Sequence, residues 1–144
     1  RGLGDVYKRQ NHIGVGYVKG YSLKSGAVAT SVAHDSHNII TVGCNDDDIA
    51  VAVNAIKDSK GGIAVVENGK IKALLELPIA GLMSDEPLTT VNEKLENAKL
   101  SAYELGADKS IDPFMTLSFL SLPVIPSLRI TTKGVFDAEN WKML

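Results

Sequence analysis

Ile63–Leu77 reads IAVVENGKIKALLEL, and the interpretation of this stretch decides the fold. Two apolar arms, Ile63–Val66 and Ile71–Leu77, flank Asn68-Gly69. Asn-Gly is the strongest short hairpin signal, because both residues tolerate the positive φ of a type I′ turn. An antiparallel hairpin in mid-chain argues against an all-parallel sheet. Upstream, GAVATSVA (Gly26–Ala33) and Ile39–Val42 are β-branched and apolar and predict two strands. Ile13–Tyr21, punctuated by Gly14, Gly16 and Gly20, predicts a short strand and a turn. Between strand and hairpin, Asn45 or Asp46 caps a helix with Ile49, Val53 and Ile56 on one face, ended by Gly61-Gly62. Downstream, Pro78–Pro87 is a loop. Thr90-x-x-Glu93 has capping-box spacing and opens a helix carrying Val91, Leu95, Ala98, Ala102 and Leu105. Pro113–Leu120 predicts a short buried helix entered through proline, Leu122–Pro126 an irregular stretch, and Leu128–Thr132 the last strand. The class is α+β: a mixed, largely antiparallel sheet with two or three flanking helices.

The chain has 144 residues and 15.4 kDa, the size of one domain. Fifteen basic against 17 acidic residues leave a net charge of −2, which provides no basic field for nucleic acid or anionic lipid. The lone Cys44 has no disulfide partner, and a reducing, cytoplasmic compartment fits. The uncharged run Pro113–Leu128 is interrupted by prolines and falls short of the about 20 apolar residues of a spanning helix. Residues 1–10 (RGLGDVYKRQ) are polar, lack a period and are set aside as a non-native, adapter-like leader. Residues 11–144 carry the domain. The chain starts at Arg1 and is read as a piece of a longer protein.

The main polar constellation is His34-Asp35-Ser36-His37-Asn38, which interrupts two apolar strands. Imidazole coordinates metals and shuttles protons near neutral pH. Asp35 can orient a histidine or bind an amino group. The plainer reading is a polar turn that satisfies its own backbone. Two histidines and one carboxylate do not complete a metal site, H-E-x-x-H is absent, and Cys44 has no second cysteine. Gly14-x-Gly16-x-x-x-Gly20 fails the dinucleotide fingerprint and reads as glycines for turns and close packing. Asp46-Asp47-Asp48 lacks EF-hand spacing and reads as a solvated helix start. Cys44 reads as inert. Ser36 and Ser118 lack the nucleophile elbow. Met83, Met115, Phe114, Phe119 and Leu120 read as core. The segments Ile79–Asp85 and Phe114–Pro126, apolar but broken by Gly, Ser and Pro, suit docking on another domain.

Four blocks carry a resemblance: GVGYVKGYSLKSGAVA, SVAHDSHNIITVGCNDDD, LPIAGLMSDEP and PFMTLSFLSLPVIPSLRITTKGVFD. Together they resemble the C-terminal domain of bacterial and archaeal adenine deaminases, members of the metal-dependent amidohydrolase superfamily. The resemblance runs from about Gly14 to Asp137. It implies an enzyme that hydrolyses adenine to hypoxanthine and ammonia in purine salvage or catabolism. It also implies a dinuclear divalent metal centre, manganese or iron, in a (β/α)-barrel, which would activate the attacking water. The barrel's H-x-H does not occur here, so no residue of this chain is assigned as a metal ligand and no cofactor is expected in it. The hydrolytic centre is expected upstream, in a barrel domain of the same polypeptide, and a homo-oligomer is expected. The chain either braces that barrel or the oligomer, with no catalytic contribution, or supplies a substrate-facing loop. For the second role the candidates are His34, Asp35 and His37 as catalytic residues and Asn38 as a substrate-binding residue. A self-contained hydrolase using His34 and His37 is a third alternative. Cys44 stands where a small polar residue such as Thr is expected, and is expected to be silent.

Overall fold

A computed structural model describes residues 3–6, 13–34 and 37–144. In chain order its elements are β1 (Leu3–Val6), β2 (Ile13–Gly16), β3 (Ala27–Thr30), β4 (Ile39–Gly43), α1 (Asp46–Asp58), β5 (Gly62–Glu67) and β6 (Lys70–Glu76). They continue with α2 (Leu88–Glu104), α3 (Pro113–Leu120), β7 (Leu128–Thr131), β8 (Gly134–Asp137) and β9 (Lys142–Met143). Six strands form one sheet in the order β2-β1-β4-β3-β5-β6, and β7-β8-β9 form a second. Every pair is antiparallel, so the parallel component expected of a mixed sheet does not occur among the described strands.

Strands β3, β4 and β5 are buried almost throughout. A strand's side chains alternate between faces, so such strands need cover on both. On one face Val28, Ile40, Val42, Ile63, Val65 and Leu75 pack against Ala98, Ala102 and Leu105 of the α2 region and Phe114 and Leu117 of α3. On the other, Ala27, Ala29, Ile39, Ala64 and Val66 meet Ala52 and Ile56 of α1. The alanines let α1 approach closely, and fully burying Ile56 contributes about 1.5–3 kcal/mol.

The hairpin forms as read, with Asn68 at φ 53° and Gly69 at φ 72°. Its tip is tied to α1. Asn45 caps that helix by accepting the Asp48 N–H at 2.7 Å, and Asp48 accepts the Asn45 amide at 2.7 Å. The other carboxylate oxygen of Asp48 accepts the Gly69 N–H at 2.7 Å. The solvated helix start thus holds for Asp46 and Asp47 but not for Asp48, which is buried. The third helical position turns this carboxylate inward over the hairpin.

Two further expectations are corrected. Helix α2 begins at Leu88, two residues before Thr90, so Thr90-x-x-Glu93 lies inside it and is not a capping box. Pro87, extended at φ −58° and ψ 145°, sets the entry instead and offers no side-chain cap. The chain also does not end its strands at Leu128–Thr131, since β8 and β9 follow. Leu3–Val6 pairs with both β2 and β4. Strand pairing uses backbone groups that every segment carries. The second sheet packs on β2 at Gly14 and Gly16. A Cβ on Gly14 would collide with the Thr131 carbonyl, and one on Gly16 with the Ile130 side chain. Close packing, and not phosphate binding, explains these glycines.

Two outcomes are expected. Burial alone would raise the Asp48 pKa, but bonds from the Gly69 amide, the Asn45 side chain and the Asn68 amide outweigh it and hold the carboxyl below its usual value. Its stabilisation is therefore complete above the unfolded value of about 3.9 and disappears as pH falls through the lower folded value. Asp48→Asn should cost about 1–3 kcal/mol at neutral pH, measured by urea unfolding, with the difference from wild type shrinking in acid. Gly14→Ala should destabilise more than Gly16→Ala, because the first meets rigid backbone and the second a side chain that can shift.

Candidate functional site

The loop between β3 and β4 is held at both ends. As the chain leaves β3, the Val32 N–H donates to Thr30 Oγ1 at 3.0 Å. Ser31 exchanges bonds with Gly62: its N–H donates to the Gly62 carbonyl at 2.9 Å, and its Oγ accepts the Gly62 N–H at 2.8 Å. The Ser31 hydroxyl also donates to Gly81 O at 2.6 Å. The His37 N–H donates to Ala33 O at 2.7 Å, closing a turn in which His37 takes φ 49°. Ala33 and Asn38 are buried on either side, while His34 is exposed. The candidate Asp35, with Ser36, lies outside the described residues.

The His34 ring stacks on Phe119 of α3, with centroids 6.0 Å apart and planes 24° apart. The His37 ring lies 6.2 Å from His34 and is tilted by 58°. His37 Nδ1 is buried with no hydrogen-bond partner among the described residues. A buried polar atom without a partner is costly, so this nitrogen marks where a further acceptor or donor fits. Beside the histidines opens a cleft of about 350 Å³ between β3, α2 and α3. Val32, Leu95 and Phe114 give it apolar walls, and His34, Lys99 and Asp112 give it polar ones.

The wall formed by α3 is fixed by three tethers at its N-terminus. Asp112 caps it, accepting the Phe114 and Met115 N–H groups at 3.0 and 2.9 Å, and pairs with Lys99 of α2 at 3.2 Å. Burial would raise the Asp112 carboxyl, but the Met115 amide and Lys99 bring it below its usual value. Its bond to Asp112 raises Lys99. The buried Tyr21 hydroxyl donates to Pro113 O at 2.9 Å. Burial, reinforced by Asp112 and Tyr103, drives its pKa upward and keeps it a donor. Tyr103 donates to Ile111 O at 3.0 Å.

Two other candidates are bonded to backbone carbonyls. The Cys44 thiol donates to Leu23 O at 3.4 Å, and the buried Ser118 hydroxyl donates to Met115 O within its own helix at 2.7 Å. Among the described residues no three His, Cys, Asp or Glu side chains come together as a metal site. The residues expected as core divide: Phe114 is buried, whereas Met83, Met115 and Phe119 are exposed. An apolar residue reads as core in sequence, and only the short length of α3 reveals that part of it faces outward. Sequence alone does not single out Lys99 or Tyr21, and the signal for Asp112 is the Asp112-Pro113 pair, an acceptor placed just before a proline at the first helical position.

The fold and site define an α+β domain that presents a histidine loop beside a cleft. The chain belongs to the adenine deaminase C-terminal domain family, whose model matches residues 3–142. It is 53% identical over 133 residues to an adenine deaminase of Desulfatibacillum aliphaticivorans, covering 92% of this chain. It is 50% identical over 134 residues to that of Bacillus pumilus, covering 93% of it, and 51% over 139 residues to that of Clostridium acetobutylicum, covering 96%. The chain spans only 23–24% of the length of these relatives. Among the described residues no helix is long and apolar enough to cross a membrane.

The Asp112 cap makes a separable prediction. Asp112→Ala should cost about 1 kcal/mol, while Asp112→Asn, which keeps an acceptor for the two amides, should cost less. Hydrogen exchange at Phe114 and Met115 should accelerate in the alanine variant. The carboxylate's share is present above about pH 3.9 and is lost as pH falls through the lower folded value. The lysine's share is present below about pH 10.4 and is lost as pH rises through its higher folded value.

Proposed function

We propose that this chain is the C-terminal part of a cytoplasmic adenine deaminase, which hydrolyses adenine to hypoxanthine and ammonia in purine metabolism. Its loop from His34 to Asn38 completes the wall of a purine pocket formed with an upstream barrel domain. The manganese or iron centre that supplies the attacking water belongs to that barrel, and no step of the reaction is assigned to metal ligands in this chain. The observation that carries the reading is His34. Its ring is exposed, stacked on Phe119 and set at the edge of a largely apolar cleft. A planar purine needs an aromatic or apolar face and a few placed polar groups at its rim, and pockets form preferentially where domains meet. His34 supplies the face and a ring nitrogen. His37 supplies a second imidazole, with Nδ1 free of partners among the described residues. Asn38 and Asp35 are assigned to orienting the loop and reading the purine edge.

A second reading, a purely structural or assembly module, is favoured by the exposed Met115 and Phe119. The two separate in the full-length enzyme. His34→Asn should lower kcat/KM for adenine by about a hundredfold, equivalent to about 2.7 kcal/mol, and His34→Phe, which keeps the stack, should lower it less. Unchanged kinetics with an altered oligomer size would leave the assembly reading. Residues 11–144 alone, supplied with manganese, should show no adenine turnover.

A further inference from the structure

The polar side chains lining the cleft beside His34 differ in the bonds they have left to make. The Thr30 hydroxyl is buried and accepts the Val32 N–H, and the Ser118 hydroxyl donates to Met115 O within α3. Lys99 and Asp112 keep spare capacity. An ammonium carries three N–H donors, and a carboxylate about four acceptor positions. Lys99 uses two donors, on Glu96 at 3.3 Å and on Asp112 at 3.2 Å. Asp112 gives one oxygen to the Phe114 and Met115 amides and the other, Oδ2, to Lys99. One N–H of Lys99 and one position on Asp112 Oδ2 therefore have no partner among the described residues. The two atoms stand side by side, tied to α2 and to the first turn of α3. Neither side chain is free in solvent, at 24% exposed for Lys99 and 37% for Asp112. An adjacent donor and acceptor fixed in a largely apolar cleft suit a planar ligand with an acceptor and an N–H on neighbouring ring positions.

We infer that Lys99 and Asp112 read one edge of the purine, with Lys99 donating to ring nitrogen N3 and Asp112 Oδ2 accepting the N9–H. This rests on the reading of the cleft as part of a purine pocket completed by an upstream barrel. Deamination decides which edge is offered. Water attacks C6, the carbon that bears the amino group, so in that reading C6 faces the barrel that supplies the water. The opposite edge, N3 and N9 on either side of C4, is left for this domain. In the free base N3 is an acceptor and N9 carries a proton, and the lysine and the carboxylate complement both. His34 covers the face of the ring while the pair holds its edge, and together they fix its position and its rotation. A ligand without the matching groups leaves a confined charge unpaired, which is the strongest form of discrimination a pocket has. A substituent on N9 removes the N–H and meets the carboxylate, so the pair selects the free base over N9-substituted forms.

Edge-altered analogues tested on the full-length enzyme check this assignment. 3-Deazaadenine lacks the N3 acceptor, and 9-methyladenine lacks the N9–H. The intrinsic reactivity of each analogue cancels when its kcat/KM relative to adenine is compared between enzymes. For an analogue that is not turned over, competitive inhibition constants are compared in the same way. Lys99→Met should shrink the preference for adenine over 3-deazaadenine at least about tenfold, the size of one charged hydrogen bond. Lys99→Arg, which keeps a donor, should restore part of it. Asp112→Ser retains a helix cap and should shrink the preference over 9-methyladenine by a similar factor. A purely structural role for the pair would slow all three compounds alike. Both preferences would then stay within about threefold of wild type, and that result would overturn the inference. His34→Asn in the same assays separates the two claims. A fall in adenine turnover there, with unchanged preferences in the lysine and aspartate variants, refutes the edge assignment alone. A silent His34→Asn with collapsed preferences refutes the histidine face alone.

Discussion

Burial of the central strands on both faces is the constraint from which the rest follows. β3, β4 and β5 expose almost nothing, so each face of the sheet must carry helices. On one face small side chains let α1 lie close and close the layer. On the other, α2 and the eight-residue α3 share the cover. Two helices meeting over one sheet leave a seam, and the cleft opens there. The histidine loop emerges from the end of β3 at that seam, so the site is a consequence of how the sheet is covered.

The seam is held open in a defined shape by polar contacts. Asp112, Lys99, Tyr21 and Tyr103 fix the start of α3 from three directions. Ser31 and the His37 amide fix the two ends of the loop. Between them His34 meets Phe119. A ring clamped on rigid elements can be pre-organised for a planar ligand, whereas the same ring on a free loop loses entropy on binding. In the proposed function this domain contributes shape and orientation, and the bond-breaking chemistry belongs to an upstream barrel.

Sequence made much of this legible where local rules and tertiary packing agree. Asn68-Gly69 specified the hairpin because its turn geometry is local, and Asn45 and Pro113 specified helix starts for the same reason. Legibility failed where a distant partner decides. Asp48 looks like a solvated acid until the hairpin tip arrives over it. Thr90-x-x-Glu93 has the right spacing, but Pro87 had already begun the helix. Short strands such as Gly134–Asp137 have too few residues for a period. Gly14 and Gly16 reveal their purpose only through the second sheet. For the site, the cluster from His34 to Asn38 stood out as polar residues between apolar strands. Its apolar counterpart, Phe119, could not be told from core without the fold.

The central claim is that this loop touches the purine, and photolabelling tests it most directly. An azido-substituted adenine is irradiated in the full-length enzyme, and the labelled peptides are sequenced by mass spectrometry. The account predicts adenine-competed label on the peptide spanning Ser31 to Asn38 or on α3 near Phe119. Label confined to residues upstream of this domain would contradict it.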